Sequence, residues 1–118
     1  MIESLPNHAA PTTMTRASDH AAVLADQIEQ ELRRLGCWQA VAIEYDAGRD
    51  GPFGMYTMAF EHWLQSVLVP ALREIAAGRR PVPPSSHLAA HAVREFDGRD
   101  DRDALCELLR QVDALRGP

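Results

Sequence analysis

The stretch Pro52-Phe53-Gly54-Met55-Tyr56-Thr57-Met58-Ala59-Phe60-Glu61-His62-Trp63-Leu64-Gln65-Ser66-Val67-Leu68-Val69-Pro70-Ala71-Leu72-Arg73-Glu74-Ile75-Ala76-Ala77-Gly78 decides the fold. At the helical period, Phe60, Trp63, Leu64, Val67, Leu68, Ala71 and Ile75 fall in one broad arc, the pattern of a helix facing a core. Met58, Val69 and Leu72 lie outside that arc, so the helix is expected to be covered on more than one side. Thr57 suits an N-cap, Glu61 the first turn, and Gly78 the left-handed residue beyond the C-terminus. A helix from Met58 to Ala77 spans roughly 30 Å, but Glu61, His62, Gln65, Arg73 and Glu74 exclude a membrane crossing. Pro70 lies inside the pattern and is expected to leave the Ser66 carbonyl unpaired and to bend the axis.

Working outward, a first helix is expected from Ser18 or Asp19, both good N-caps. Leu24, Ile28, Leu32 and Leu35 recur at helical spacing, Ala21 and Ala25 extend the stripe, and Gly36 ends it. Glu31 borders the stripe and reads as a rim residue. Trp38 to Tyr45 alternates somewhat, as a strand would, but a lone strand has no partner here. It reads instead as a connector packed by Trp38, Val41 and Ile43, followed by a turn-rich loop from Asp46 to Gly54. The segment 79–86 holds three prolines and reads as an extended crossover. Ser85 or Ser86 then caps a third helix from His87 to about Phe96, with Leu88, Ala92 and Phe96, or Ala89 and Val93, as its apolar side. A fourth helix runs from about Asp101 to Leu115 on the stripe Leu105, Leu108, Leu109, Val112 and Leu115. The expected fold is all-α, an antiparallel four-helix bundle with long loop connections. Residues 18–118 form its single domain, and residues 1–17 read as a disordered tail without periodicity, in which Met14 is an alternative start.

A chain of 118 residues, 46% apolar, buries enough surface to fold without disulfides or metal. Its two cysteines, Cys37 and Cys106, read as thiols of a reducing compartment, with a bridge between them left open by sequence. The N-terminus has neither a basic region nor an apolar run, so no secretory signal is read and a cytoplasmic location is expected. The net charge is −5, which disfavours direct nucleic-acid binding, because counterion release needs a cationic surface.

The central stretch also resembles a known family. Pro52-Phe53, Thr57-Met58, Trp63-Leu64-Gln65 and Val67-Leu68-Val69-Pro70 together resemble the signature of the YqcC-like family of small bacterial helical proteins. Arg33-Arg34-Leu35-Gly36-Cys37-Trp38 is similar to the end of that family's first helix, and Leu105 to Leu115 to its last. The similarity covers about residues 19 to 116. It implies a four-helix bundle without an assigned activity, and gene-neighbourhood association with tRNA pseudouridine synthase C as a partner. The family usually has an acidic residue before Thr-Met, where this chain has Tyr56.

Several constellations bear on chemistry. His87 and His91 stand four apart, a metal-compatible spacing that His62 or Glu61 could complete, but no further ligand sits at motif spacing. Two acidic loops, Asp46 to Gly51 and Asp97 to Asp103, lack the terminal bidentate glutamate of a calcium loop. Neither Ser66 nor Cys106 has an activating motif, and no phosphate-cradling loop follows a strand. What remains is Phe53, Tyr56, Glu61, His62 and Trp63, aromatics beside a polar edge, as at interfaces and clefts. Phe53 and Trp63 are expected to plug the end of the bundle, leaving Tyr56, Glu61 and His62 as an exposed edge. The sequence therefore predicts a non-catalytic protein-interaction module without cofactor, whose implied partner is a tRNA pseudouridine synthase. The alternative is a bundle binding a small ligand, or a metal through His62, His87 and His91.

Overall fold

Helix α1 (Thr12–Arg34) opens the fold; the computed structural model describes residues 12–83 and 87–116, with side chains from residue 17 onward. The helix starts ahead of Ser18 and Asp19, so residues 12–17 belong to it rather than to a tail. No glycine or proline interrupts the sequence between Pro11 and Gly36, and helix propagation is favourable until a breaker intervenes. The rest of the expected tail, residues 1–11, lies outside the described residues, as do Ser85 and Ser86. Ala21, Leu24, Ala25, Ile28 and Leu32 are fully buried, while Glu31 stays at the rim, paired with Arg34. Gly36, at φ 76°, closes the helix. There the Cys37 N–H reaches the Leu32 carbonyl at 2.8 Å and the Gly36 N–H the Arg33 carbonyl at 3.0 Å, the paired bonds of a Schellman ending.

Helix α2 is built in three pieces: Phe60–Trp63, a π-helical turn Leu64–Leu68, and Val69–Ala76. The proline explains the middle piece. Pro70 has no N–H to offer the Ser66 carbonyl, and the preceding residues widen into a π turn, with the Val69 N–H bonded to the Leu64 carbonyl. The extra residue turns everything beyond it by about 100°. Val69 and Leu72, outside the arc of a regular helix, are thereby brought into the core, whereas Val67 and Ala71 are only half-buried. Thr57 does not cap α2: its N-cap is Ala59, without a side-chain bond, because the Thr57 hydroxyl is engaged by Asp50. Gly78, at φ 78°, ends the helix as expected.

Helix α3 (Leu88–Glu95) buries Leu88, Ala89 and Ala92, followed by Phe96, and leaves Val93 exposed. Its N-terminal donors are satisfied from another helix. The Asp113 carboxylate accepts from the Leu88 N–H at 3.0 Å and the Ala89 N–H at 2.9 Å. Helix α4 begins as a 3-10 turn, Asp100–Arg102, and continues as Asp103–Asp113, burying Leu105, Leu109, Val112 and the following Leu115.

Named contacts set the topology. Arg73 on α2 meets Asp26 and Glu29 on α1, while Gln65, nearer the start of α2, meets Gln39 beyond the end of α1. These two helices are therefore antiparallel. Asp113 at the end of α4 holds the start of α3, and Arg102 at the start of α4 meets Glu61 at the start of α2. The order is up-down-up-down, an antiparallel four-helix bundle around one apolar core. Among the described residues there is no strand, and no helix is long and apolar enough to cross a membrane.

Candidate functional site

The long connection from Cys37 to Ala59 packs on the core through Trp38, Tyr45, Phe53 and Met58, so the packing expected of Trp38, Val41 and Ile43 is met only at Trp38. Trp38 does lie against the core, under the Arg33 guanidinium at 4.8 Å. Val41 and Ile43, however, are exposed, Val41 by 78%. Polar side chains of the α2 π turn hold this segment instead. The Gln65 carboxamide accepts from the Gln39 N–H at 2.8 Å and donates to the Gln39 carbonyl at 2.9 Å. The Ser66 hydroxyl accepts from the Ile43 N–H at 2.8 Å.

The second half of the connection is organised by Asp50. Asp46 caps a single helical turn, Ala47–Asp50, through the Gly48 and Arg49 N–H groups. The buried Asp50 carboxylate accepts from the Asp46 N–H at 2.8 Å, the Thr57 hydroxyl at 2.7 Å and both the Nε and Nη2 of Arg49 at 2.9 Å. The Arg49 contact first, then the Thr57 and Asp46 bonds, hold this carboxyl well below the usual carboxylate range. Tyr45 donates to the Gly51 carbonyl at 2.8 Å. Gly51 (φ 81°) lies against the Tyr56 ring, where a Cβ would come within 2.7 Å. The acids of this calcium-like loop are thus committed to its own backbone and arginine. From this braced loop Met55 and Tyr56 project outward, exposed by 55% and 71%.

The aromatic residues gather at the adjoining end of α2. Phe53 takes the left-handed conformation at φ 54°, a strained setting for a bulky residue. Its ring is stacked on His91 at 4.3 Å and set edge-on to Trp63 at 5.1 Å and Phe60 at 6.0 Å. Burial pushes the His91 imidazole below its usual pKa, opposed by Glu95 and reinforced by Arg94. The buried Trp63 indole N–H has no hydrogen-bond partner among the described residues.

The expected exposed edge is therefore split. Phe53 and Trp63 do plug the bundle together, and Tyr56 is exposed. Glu61 is buried, accepting from Arg102 Nη2 at 3.0 Å and from Arg99 at 3.3 Å. Helical spacing could not show this, because the arginines come from another element, Arg99 just before α4 and Arg102 in its opening turn. His62 is half-buried. His87 is exposed as the left-handed N-cap of α3 while His91 is packed in the aromatic cluster, so the two do not act as a pair. No three His, Cys, Asp or Glu among the described residues form a metal-holding group. Cys37 and Cys106 are free thiols; burial pushes the Cys106 thiol up.

Beside the cluster, a groove of about 660 Å³ runs along α2 under the segment 80–83. Its walls include Trp63, Val67, Leu72, Leu88 and Leu115, with Arg80 and Asp113 as its charged members.

These features define a small helical bundle whose distinctive surface is a braced loop bearing apolar side chains at its aromatic end. The model of a family described as tRNA pseudouridine synthase C, DUF446, matches residues 20–115. The chain belongs to that family, in agreement with the resemblance carried by its central stretch. No curated protein and no solved structure matches it.

Proposed function

We propose that this chain is a non-catalytic interaction module that docks on a tRNA pseudouridine synthase in the cytoplasm, using the loop from Cys37 to Ala59. One observation carries the reading. Val41, Met55 and Tyr56 are held out to solvent on a loop whose backbone is braced by Gln65, Ser66 and Asp50. A free loop with apolar side chains would collapse onto the nearest surface or move. A braced one keeps them exposed and lowers the ordering cost of binding. The family description, tRNA pseudouridine synthase C, supports this choice of partner. We carry it to this chain as a partner and not as an activity, because a net charge of −5 leaves little basic surface for holding tRNA. In the complex the synthase would contact the RNA, and this module would position or regulate it.

The test is capture of the tagged chain from its native cells at native expression, read by mass spectrometry, beside a Met55→Ser/Tyr56→Ser variant. The expected result is enrichment of a tRNA pseudouridine synthase by the parent chain and its loss from the variant, with the urea midpoint unchanged. Absence of the synthase from the parent's eluate, or equal capture by both chains, would sink the proposal.

A further inference from the structure

The groove along α2 meets the braced loop only at Phe53, away from the exposed Val41, Met55 and Tyr56, and its chemistry points to a different kind of ligand. Its volume of about 660 Å³ falls within the range of about 300–1,000 Å³ common to small-molecule sites. A docked protein needs roughly 800 Å² on each side. Val67, Leu68, Leu72, Ile75 and Leu88 make a continuous apolar wall. The wall carries one charge of each sign, and the two are engaged differently. Arg73 is held by Asp26 and Glu29, and Arg79 by Glu74. Arg80, exposed and lining the groove, makes no ion pair among the described residues. The groove's carboxylate, Asp113, is committed to the Leu88 and Ala89 N–H groups. A guanidinium fork without an anion among the described residues, next to an apolar trough, is complementary to a carboxylate on an alkyl chain.

We propose that this groove binds a single-chain amphiphile with a carboxylate head, a free fatty acid of medium length, its chain lying along α2 and its head on Arg80. The wall supplies non-directional affinity for the chain, and the arginine fork selects the head. The site needs no partner protein, so its failure would leave the docking proposal standing, and the reverse also holds.

The test uses the full chain and isothermal calorimetry with decanoate, decanol and decylamine, each kept below its aggregation threshold. Decanoate should bind saturably at one site, and decylamine about tenfold more weakly or not at all. Arg80→Gln should weaken decanoate about tenfold and leave decanol unchanged. Ala71→Phe, which fills the trough, should remove binding of both. Arg80 is a surface residue, so its variant keeps the test decisive if Ala71→Phe does not fold. Absence of saturable decanoate binding, equal binding of decylamine, or an Arg80→Gln variant that binds decanoate as the parent does would each overturn the proposal.

Discussion

Glu61 shows at the scale of one residue how burial reverses a sequence-level reading. A carboxylate in the first turn of α2 looks like a solvated dipole partner, but Arg102 and Arg99 enclose it, and the Arg102 side chain is only 7% exposed. Removing one partner of a buried pair leaves the other charge uncompensated, which costs more than the pair itself contributes. Glu61→Gln should therefore destabilise the fold by about 3 kcal/mol, read from urea unfolding. A change below about 0.5 kcal/mol would show the pair to be solvated. His91 makes the second residue-scale prediction, and its sign follows from burial. Its folded pKa lies below the ordinary 6.5, so as pH falls the unfolded chain takes up the proton first. Stability should be complete above that value and decline as pH drops through it toward the lowered folded value. Asp50 works at a lower pH: its folded pKa is depressed, so its contribution is constant near neutrality and is lost only in strong acid. Urea midpoints should thus differ between a pH about one unit above the ordinary imidazole pKa and one about one unit below it, and His91→Gln should flatten the difference. An unchanged slope in the variant would assign the effect elsewhere.

At the scale of elements, what sequence reveals depends on whether the causes are local. Helix α1 keeps a regular helical stripe from Ala21 to Leu32 and stops at Gly36, and α4 keeps its stripe from Leu105 to Leu115, so both are legible. The register of α2 is legible only as far as the π turn. Pro70 announces a disturbance, but one inserted residue, rather than a bend alone, is what brings Val69 and Leu72 inward. Within the candidate site, the meeting of Phe53 and Trp63 is legible from their character. The enclosure of Glu61 and the bracing by Gln65 are not, because their partners are 41 and 26 residues away. The cap of α3 is hidden for the same reason, with Asp113 acting across 25 residues. An eight-residue helix is marginal alone, so this remote cap matters. Asp113→Ala should cost about 1–2 kcal/mol with a loss of helical ellipticity, and Asp113→Asn clearly less. Equal losses in both variants would argue against capping. The loop's tether gives a further prediction. Gln65→Ala should cost about 1 kcal/mol and speed amide exchange at Gln39 far more than at Ile28 in the core of α1. Uniform acceleration would instead indicate global loosening.

At the scale of the whole molecule, the charges and the apolar side chains should govern different steps of binding. All twelve basic residues are arginine, and the net charge is −5. Many of these arginines make surface ion pairs with the chain's own carboxylates: Arg33 with Glu29, Arg34 with Glu31, Arg49 with Asp50, Arg73 with Asp26 and Glu29, Arg110 with Glu107. Each such pair is neutral, so the field seen from a distance follows the acidic excess, and it favours approach by a basic partner. Long-range attraction of this kind acts before contact and is screened over about 8 Å at physiological ionic strength. Met55 and Tyr56, in contrast, act only after contact, when their exposed surface is covered. The two contributions are separable by kinetics with the proposed partner. Raising salt from low to physiological concentration should slow association by roughly tenfold and leave dissociation nearly unchanged. Tyr56→Ser should do the opposite, speeding dissociation while association stays within about twofold, since among mutants of one interface affinity differences lie mostly in the off-rate. Surface-bound kinetics at two salt concentrations, on parent and variant, measure both rates in each case. If salt changed the off-rate and Tyr56→Ser the on-rate, the contact would be electrostatic and centred away from the braced loop.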